Sequence, residues 1–157
     1  MLCLLDTNVL LRAIDRRHPD FNIVRRALIV LGRQRTQLCF VAQNLIEFWA
    51  VATRGRDANG LGMSTEWAIA QLAKIKRLFA ILPETAEILP TWERLVIQHR
   101  VSGKKTHDAR LVAAMYVHGV SHILTFNSAD FSRYAGISVI EPQTLETAEP
   151  KVPADSP

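Results

Sequence analysis

The stretch "LCLLDTNVLLRAI", residues 2–14, decides the architecture. Its first four residues are bulky and apolar without a polar alternation, the pattern of a strand covered on both faces. Asp6 ends that run, and Thr7 and Asn8 follow. Apolar residues then recur at helical spacing, with Asn8 as the expected N-cap. A buried strand that passes at once into a helix is the opening of an alternating α/β chain. The same grammar recurs downstream. "LCFV" (38–41), "HILTF" (122–126) and "ISVI" (137–140) read as further buried strands, while "LFAIL" (78–82) stays open between a strand and a helix end. Helical patterns cover about 20–32, 43–53, 85–99 and 106–119, and another starts at Ser64 with Glu66 in its first turn. Pro90 must kink or restart the helix of 85–99, and Gly119 stops that of 106–119. Alternation of this kind predicts an α/β sandwich on a mainly parallel sheet.

At 157 residues the chain is expected to form one domain with a substantial core. Apolar residues make up 48% and charged residues 22%, an ordinary balance for a water-exposed globular domain. No apolar run reaches the roughly 18 residues of a membrane span. The N-terminus lacks a basic lead-in and is broken by Asp6, so it makes a poor signal peptide; the expected location is the cytoplasm, without membrane association. Cys3 and Cys39 lie in apolar runs and have no zinc-type spacing, which predicts buried free thiols. The net charge is +4, and residues 141–157 are acidic, so the preceding body is distinctly basic and compatible with a polyanionic partner. The Pro-containing segment 142–157 reads as a disordered tail beyond a domain of residues 1–141.

Four acids carry the chemistry. Glu47 sits within "VAQNLIEFWAVA" (41–52), a helix apolar on every side and therefore expected to be buried. A charge there demands a partner, a hydrogen bond or a metal; a neighbouring Arg or Lys, or a rim position open to water, would also satisfy it. Asp6 lies just past the first strand, where parallel sheets place their ligands, although an Asx turn capping the next helix would explain it equally well. Asp108 precedes Leu111, Val112 and Met115 at +3, +4 and +7, which turns it inward; favourable placement on the helix dipole is the alternative. Asp130, in "LTFNSADF", could be an ordinary loop acid. Taken jointly, loops after neighbouring parallel strands converge at one sheet edge, where all four would meet. Such a cluster repels itself unless a cation is present, and magnesium or manganese suits an all-oxygen donor set. His107 adjoins Asp108 and is a further candidate for substrate contact.

The segments "LLDTNVLL", "NLIEFWAV", "THDARLVAAM" and "LTFNSADF" resemble, in order and spacing, the motifs of PIN-domain proteins, most nearly the VapC-like toxins of toxin–antitoxin pairs. The resemblance spans about residues 1–141 and implies a three-layer α/β/α sandwich with a central parallel sheet of about five strands. It implies a magnesium- or manganese-dependent endoribonuclease leaving a 5′-phosphate and a 3′-hydroxyl, a cognate antitoxin that blocks the acidic site, and homodimers. Asp6, Glu47 and Asp108 match the family's core acids, and Asp130 its trailing acid. Thr7, Asn8, Thr125 and Asn127 match supporting polar positions. Arg12, Arg54, Arg56, Lys104, Lys105 and Arg110 are candidates for RNA phosphate contacts. The competing functions are a non-catalytic RNA-binding module on this fold, and a DNA-directed nuclease or phosphatase using the same acids.

Overall fold

Alternation within each strand distributes side chains to two opposite faces, and two separate helical layers meet them. The computed structural model describes residues 1–145. In chain order the elements are β1 (Leu2–Leu5), α1 (Thr7–Ile14), α2 (Phe21–Arg33), β2 (Gln37–Val41), α3 (Ala42–Thr53), α4 (Thr65–Leu78), β3 (Ala80–Leu82), α5 (Ile88–Gln98), α6 (Lys105–Val117), β4 (His122–Leu124), α7 (Ser128–Phe131) and β5 (Ser138–Ile140). The sheet has five strands in the order β3-β2-β1-β4-β5, all parallel. Leu4 of the central strand pairs with Cys39 on one side and Ile123 on the other.

Cys3, Leu5, Phe40 and Leu124 face the layer of α1 to α4, where Val9, Leu10, Val24, Ala27, Phe48 and Ile75 close the core. Leu4, Cys39, Val41 and Ile123 face the other layer and pack on Leu95 of α5, Leu111, Val112 and Met115 of α6, and Phe131 of α7. The result is the expected α/β/α sandwich. The chain leaves β1 toward β2 and β3, then returns to place β4 on the other side of β1. That reversal opens a crevice at the carboxyl ends of β1 and β4, the customary ligand position in open α/β sheets.

Several local expectations change in physical detail. Asn8 is not the helix cap: α1 begins at Thr7, and Asp6 occupies the cap position without a capping side-chain bond. The Asn8 amide instead reaches across to the end of β4. Pro90 neither kinks nor interrupts its helix, because α5 starts at Ile88 and puts the proline in the first turn, where its missing N–H costs nothing. "LFAIL" divides, with Leu78 ending α4 and Ala80–Leu82 forming the edge strand. Ser64 caps α4 as expected, accepting the Trp67 N–H at 3.2 Å. The helix around Glu47 is not buried on every side: Ile46 is 68% exposed, since α3 packs on the sheet through Phe48 and Ala52 and turns its opposite face outward. No helix of the described residues is long and apolar enough to cross a membrane. Of the expected tail, Pro142–Leu145 form a 3-10 turn with Leu145 packed on the α1–α4 layer, and residues 146–157 lie outside the described residues.

The loop between α3 and α4 folds back on its own start, with the Gly60 N–H donating to the Gly55 carbonyl at 3.0 Å and the Gly62 N–H to the Arg54 carbonyl at 2.9 Å. A Cβ on Gly60 would stand 2.0 Å from the Arg54 carbonyl oxygen, a backbone atom that cannot swing aside. Gly60→Ala is therefore expected to destabilise the protein by about 1–3 kcal/mol, measurable as a lower urea midpoint with an unchanged slope.

Candidate active site

The strand-to-helix junction at β1 builds the first corner of the site. Asp6 is buried, and its Oδ2 accepts hydrogen bonds from Thr125 Oγ1 at 2.5 Å and Asn8 Nδ2 at 2.7 Å. Thr125, fully buried just after β4, also accepts from Asn8 Nδ2 at 3.2 Å and from the Asn127 N–H at 3.0 Å. The Phe126 N–H donates to Asn8 Oδ1 at 3.3 Å. Asn8 and Thr125 thus fasten the β1–α1 and β4–α7 junctions together around one carboxylate oxygen. Burial pushes the Asp6 carboxyl above its ordinary range and Glu47 adds to the push; the Thr125 hydroxyl and the amides of Thr7 and Asn8 oppose it.

The second corner is α3. Glu47 is held at both oxygens: Thr7 Oγ1 donates to Oε2 at 2.7 Å and Gln43 Nε2 to Oε1 at 2.7 Å. Thr7 is itself located by Asn44 Nδ2 at 3.2 Å, while Asn44 Oδ1 accepts the Val41 N–H at 2.9 Å at the helix start. The charge in the apolar run therefore has hydrogen-bond partners rather than a bonded Arg or Lys. Gln43 and Asn44 are buried and were not among the sequence candidates. Their signal was present in the sequence, because polar residues three and four positions before Glu47 share its helix face.

The third corner is the first turn of α6. Burial and then the charges of Asp130, Asp6 and Glu47 push Asp108 up from 3.8 to about 7, with Lys105 pulling it down. The acids gather at the crevice, near enough to act on one another. Asp130, on α7, has Lys105 Nζ 4.0 Å from its Oδ1, and His107 Nδ1 stands 4.0 Å from Glu47 Oε1. Among the described residues, no three acidic, histidine or cysteine side chains close on one point tightly enough to cage an ion by themselves.

The basic candidates scatter. Lys105 lies on the rim, and Lys104 is exposed at the start of α6. Arg12 is committed elsewhere, 3.3 Å from Asp20 and with its guanidinium 3.8 Å above the Phe126 ring, where it fastens α1 to the β4–α7 junction. Arg54 and Arg56 follow the end of α3, about two turns beyond Glu47, and donate to the carbonyls of Asn59 and Leu61 in their own loop. Arg110 donates to Glu84 Oε2 at 2.6 Å and to Gln43 Oε1 at 3.1 Å. Asn127 is exposed beside Thr125.

A search by sequence among curated proteins returns no match. The fold is similar to that of VapBC2 from Rickettsia felis bound to a promoter DNA fragment, with a TM-score of 0.68 at 15% identity over 90% of this chain and 98% of that one. It is similar to DNA-bound VapBC from Salmonella typhimurium, at 0.66 and 17% identity over 90% and 99%. It is also similar to VapC20 of Mycobacterium tuberculosis, a sarcin–ricin loop cleaving toxin, at 0.60 and 15% identity over 87% and 98%. A family model of the PIN domain matches residues 3–137, a span that runs from Cys3 of β1 through β4 and α7, stops just before β5, and takes in all four acids. With the sheet order, the crevice and that match in agreement, this chain belongs to the PIN-domain family.

Proposed function

We propose that the protein is a metal-dependent endoribonuclease of the VapC type, the toxin of a toxin–antitoxin pair. The observation that carries this reading is the convergence of Asp6, Glu47, Asp108 and Asp130 at the switch point of the sheet, close enough that three of them raise the fourth. An arrangement of this kind has no structural benefit, because like charges brought together out of water oppose folding. An all-oxygen donor set suits a hard divalent ion such as magnesium, which is held by one or two carboxylates and keeps several of its waters. Asp6 and Asp108 would hold the ion, with Glu47 and Asp130 completing its shell directly or through water.

A bound divalent ion would acidify a coordinated water and offset charge at the scissile phosphate. The chain's own groups do the rest. Thr7 and Gln43 hold the Glu47 carboxylate in place, and each of its oxygens keeps a lone pair with which to accept the proton of the attacking water. Asn8 and Thr125 keep Asp6 from turning. Lys105, beside Asp130, offers positive charge to the RNA backbone. The products would carry a 5′-phosphate and a 3′-hydroxyl.

Partners follow the same reading. An apolar cavity of about 670 Å³ between α1, α2 and α4 is lined by Leu10, Ile14, Phe21 and Leu28 and rimmed by Arg16 and Lys74. It suits an acidic amphipathic segment of the antitoxin. Homodimerisation would cover the exposed apolar side chains Ile46 of α3 and Leu89 of α5.

Purified protein incubated with manganese or magnesium and labelled RNA, DNA or a phosphomonoester provides the test. RNA cleavage by the wild type that disappears in Asp6→Asn is the expected outcome. Cleavage that persists in Asp6→Asn would sink the assignment of the acids. RNA binding without cleavage in either protein would favour the binding module, and a preference for DNA or monoesters would redirect the substrate.

A further inference from the structure

We propose that Gln43 and Arg110 are positioning residues for Glu47. Arg110, braced by Glu84, fixes the amide of Gln43 so that its NH2 group holds one oxygen of the Glu47 carboxylate. The inference rests on the reading of Glu47 as part of a hydrolytic site, and it gives Arg110 a role other than phosphate contact.

Gln43 is 6% exposed and every polar valence it uses here is directed. Both protons of Nε2 are spent, one on Glu47 Oε1 at 2.7 Å and one on the His107 carbonyl at 2.9 Å. Its Oε1 accepts from Arg110 Nη1 at 3.1 Å. Turning the amide over would set Oε1 against a carboxylate and a carbonyl, and the NH2 group against a guanidinium. All three contacts would become repulsive, so the two acceptors and one donor around Gln43 admit one orientation. Arg110 is the member that enforces it, because a guanidinium only donates. Its second nitrogen is tied to Glu84 Oε2 at 2.6 Å, which anchors it to the segment after β3. The line Glu84–Arg110–Gln43–Glu47 therefore joins α6 and the end of β3 to the acid on α3. It also ties Glu47 to the backbone of His107, the residue before Asp108, so two acids from different helices are set relative to each other. Thr7 secures the other Glu47 oxygen at 2.7 Å, leaving the carboxylate no free rotation.

The test is steady-state cleavage of a labelled RNA oligonucleotide with manganese by wild type, Gln43→Ala, Arg110→Ala, Arg110→Lys and the double variant. Loss of an outer partner of this kind lowers kcat by about 10–100-fold, here with KM and its salt dependence unchanged. Arg110→Lys falls with Arg110→Ala, since a single ammonium does not span Gln43 and Glu84 in fork geometry. The double variant falls no further than Gln43→Ala, because Arg110 acts through Gln43. A raised KM, a shallower salt dependence, rescue by lysine and additive losses are the signature of a phosphate contact and would overturn the proposal. An arm independent of turnover follows the Gln43 side-chain amide by heteronuclear NMR, with thermal melts confirming that each variant is folded. The paired NH2 signals should show slowed exchange in wild type, and lose it in Arg110→Ala and, more mildly, in the surface variant Glu84→Gln. If wild type cleaves and the amide ignores Arg110, the relay alone fails. If wild type cleaves no RNA, the functional reading fails, and the amide signals still decide the relay.

Discussion

Asp108→Asn is expected to abolish RNA cleavage and, in the same molecule, to raise the melting temperature of the metal-free protein at pH 8. If Asp108 helps hold the ion as proposed, its loss costs several kcal/mol of transition-state stabilisation, roughly a thousandfold in rate. The gain in stability comes from the cluster's self-repulsion. Asp108 stands at about 7 in the folded state against an ordinary 3.8, because of burial and the charges of Asp130, Asp6 and Glu47. A carboxyl whose folded value is raised binds protons more tightly in the folded state than in the unfolded one. Its stabilising contribution is complete below about 3.8 and is lost as pH rises through about 7. At full weight that gap would amount to ~4 kcal/mol, but Asp108 is only half-buried and solvent screening reduces it to about 1–2 kcal/mol. For a chain of this size the gain is about 3–6 °C. Melts in chelator at pH 5.5 and pH 8 should show wild type losing stability across the interval and Asp108→Asn losing much less. Added manganese should restore wild type at pH 8 by mass action and leave the variant nearly unmoved. A variant less stable than wild type, with the same pH slope, would show that the acids do not repel one another.

The second large effect concerns stability alone. Phe48→Ala should cost about 3–5 kcal/mol, since a fully buried ring is replaced by a cavity beneath α3. That is a large share of a typical folding free energy of 5–15 kcal/mol, and a drop of about 10 °C or more in melting temperature follows. Two positions earlier the outcome reverses. Ile46→Ala, on the outward face, should change monomer stability by less than about 0.5 kcal/mol, and any effect should appear in the self-association constant. Calorimetry at several protein concentrations separates the two.

That pair shows where sequence reasoning stops. The run 41–52 announces a helix, and Glu47 within it announces a site, but nothing in the run distinguishes Phe48, which meets the sheet, from Ile46, which meets no described residue closely enough to be covered. Period and composition identify the elements; which of two apolar faces is inward depends on neighbours far along the chain. The parallel sheet was legible at β1, β2 and β4, which are short, apolar runs each followed by a helix, and less so at the edge strand β3, where Ile81 is 55% exposed and the run 78–82 stays open between strand and helix end. The gathering of the acids was legible because each sits just past a strand or early in a helix, and parallel topology leaves such positions one edge at which to meet. The cations were not. Arg12 and Arg110 look alike in sequence, yet one is taken by Asp20 and Phe126 and the other by Glu84 and Gln43. Such pairings are long-range and leave no spacing to read. Asn8 illustrates a related limit: as a residue type it is a good helix cap, but a buried carboxylate and a hydroxyl from another junction made a stronger claim on its amide.

Cys3 and Cys39 belong to neighbouring strands and point into opposite layers of the sandwich. Both are fully buried, and burial holds their thiols at about 12 and about 11, so neither ionises at neutral pH. The native protein is therefore expected to resist alkylating reagents and mild oxidants, and with the two thiols in opposite layers a disulfide between them would require the sheet to open. Each becomes an internal clock for its own side: Cys3 takes label only when the α1–α4 layer lifts, Cys39 only when α5 and α6 do. Comparing the two labelling rates in one sample would tell whether the sandwich opens as a single unit or one leaf at a time.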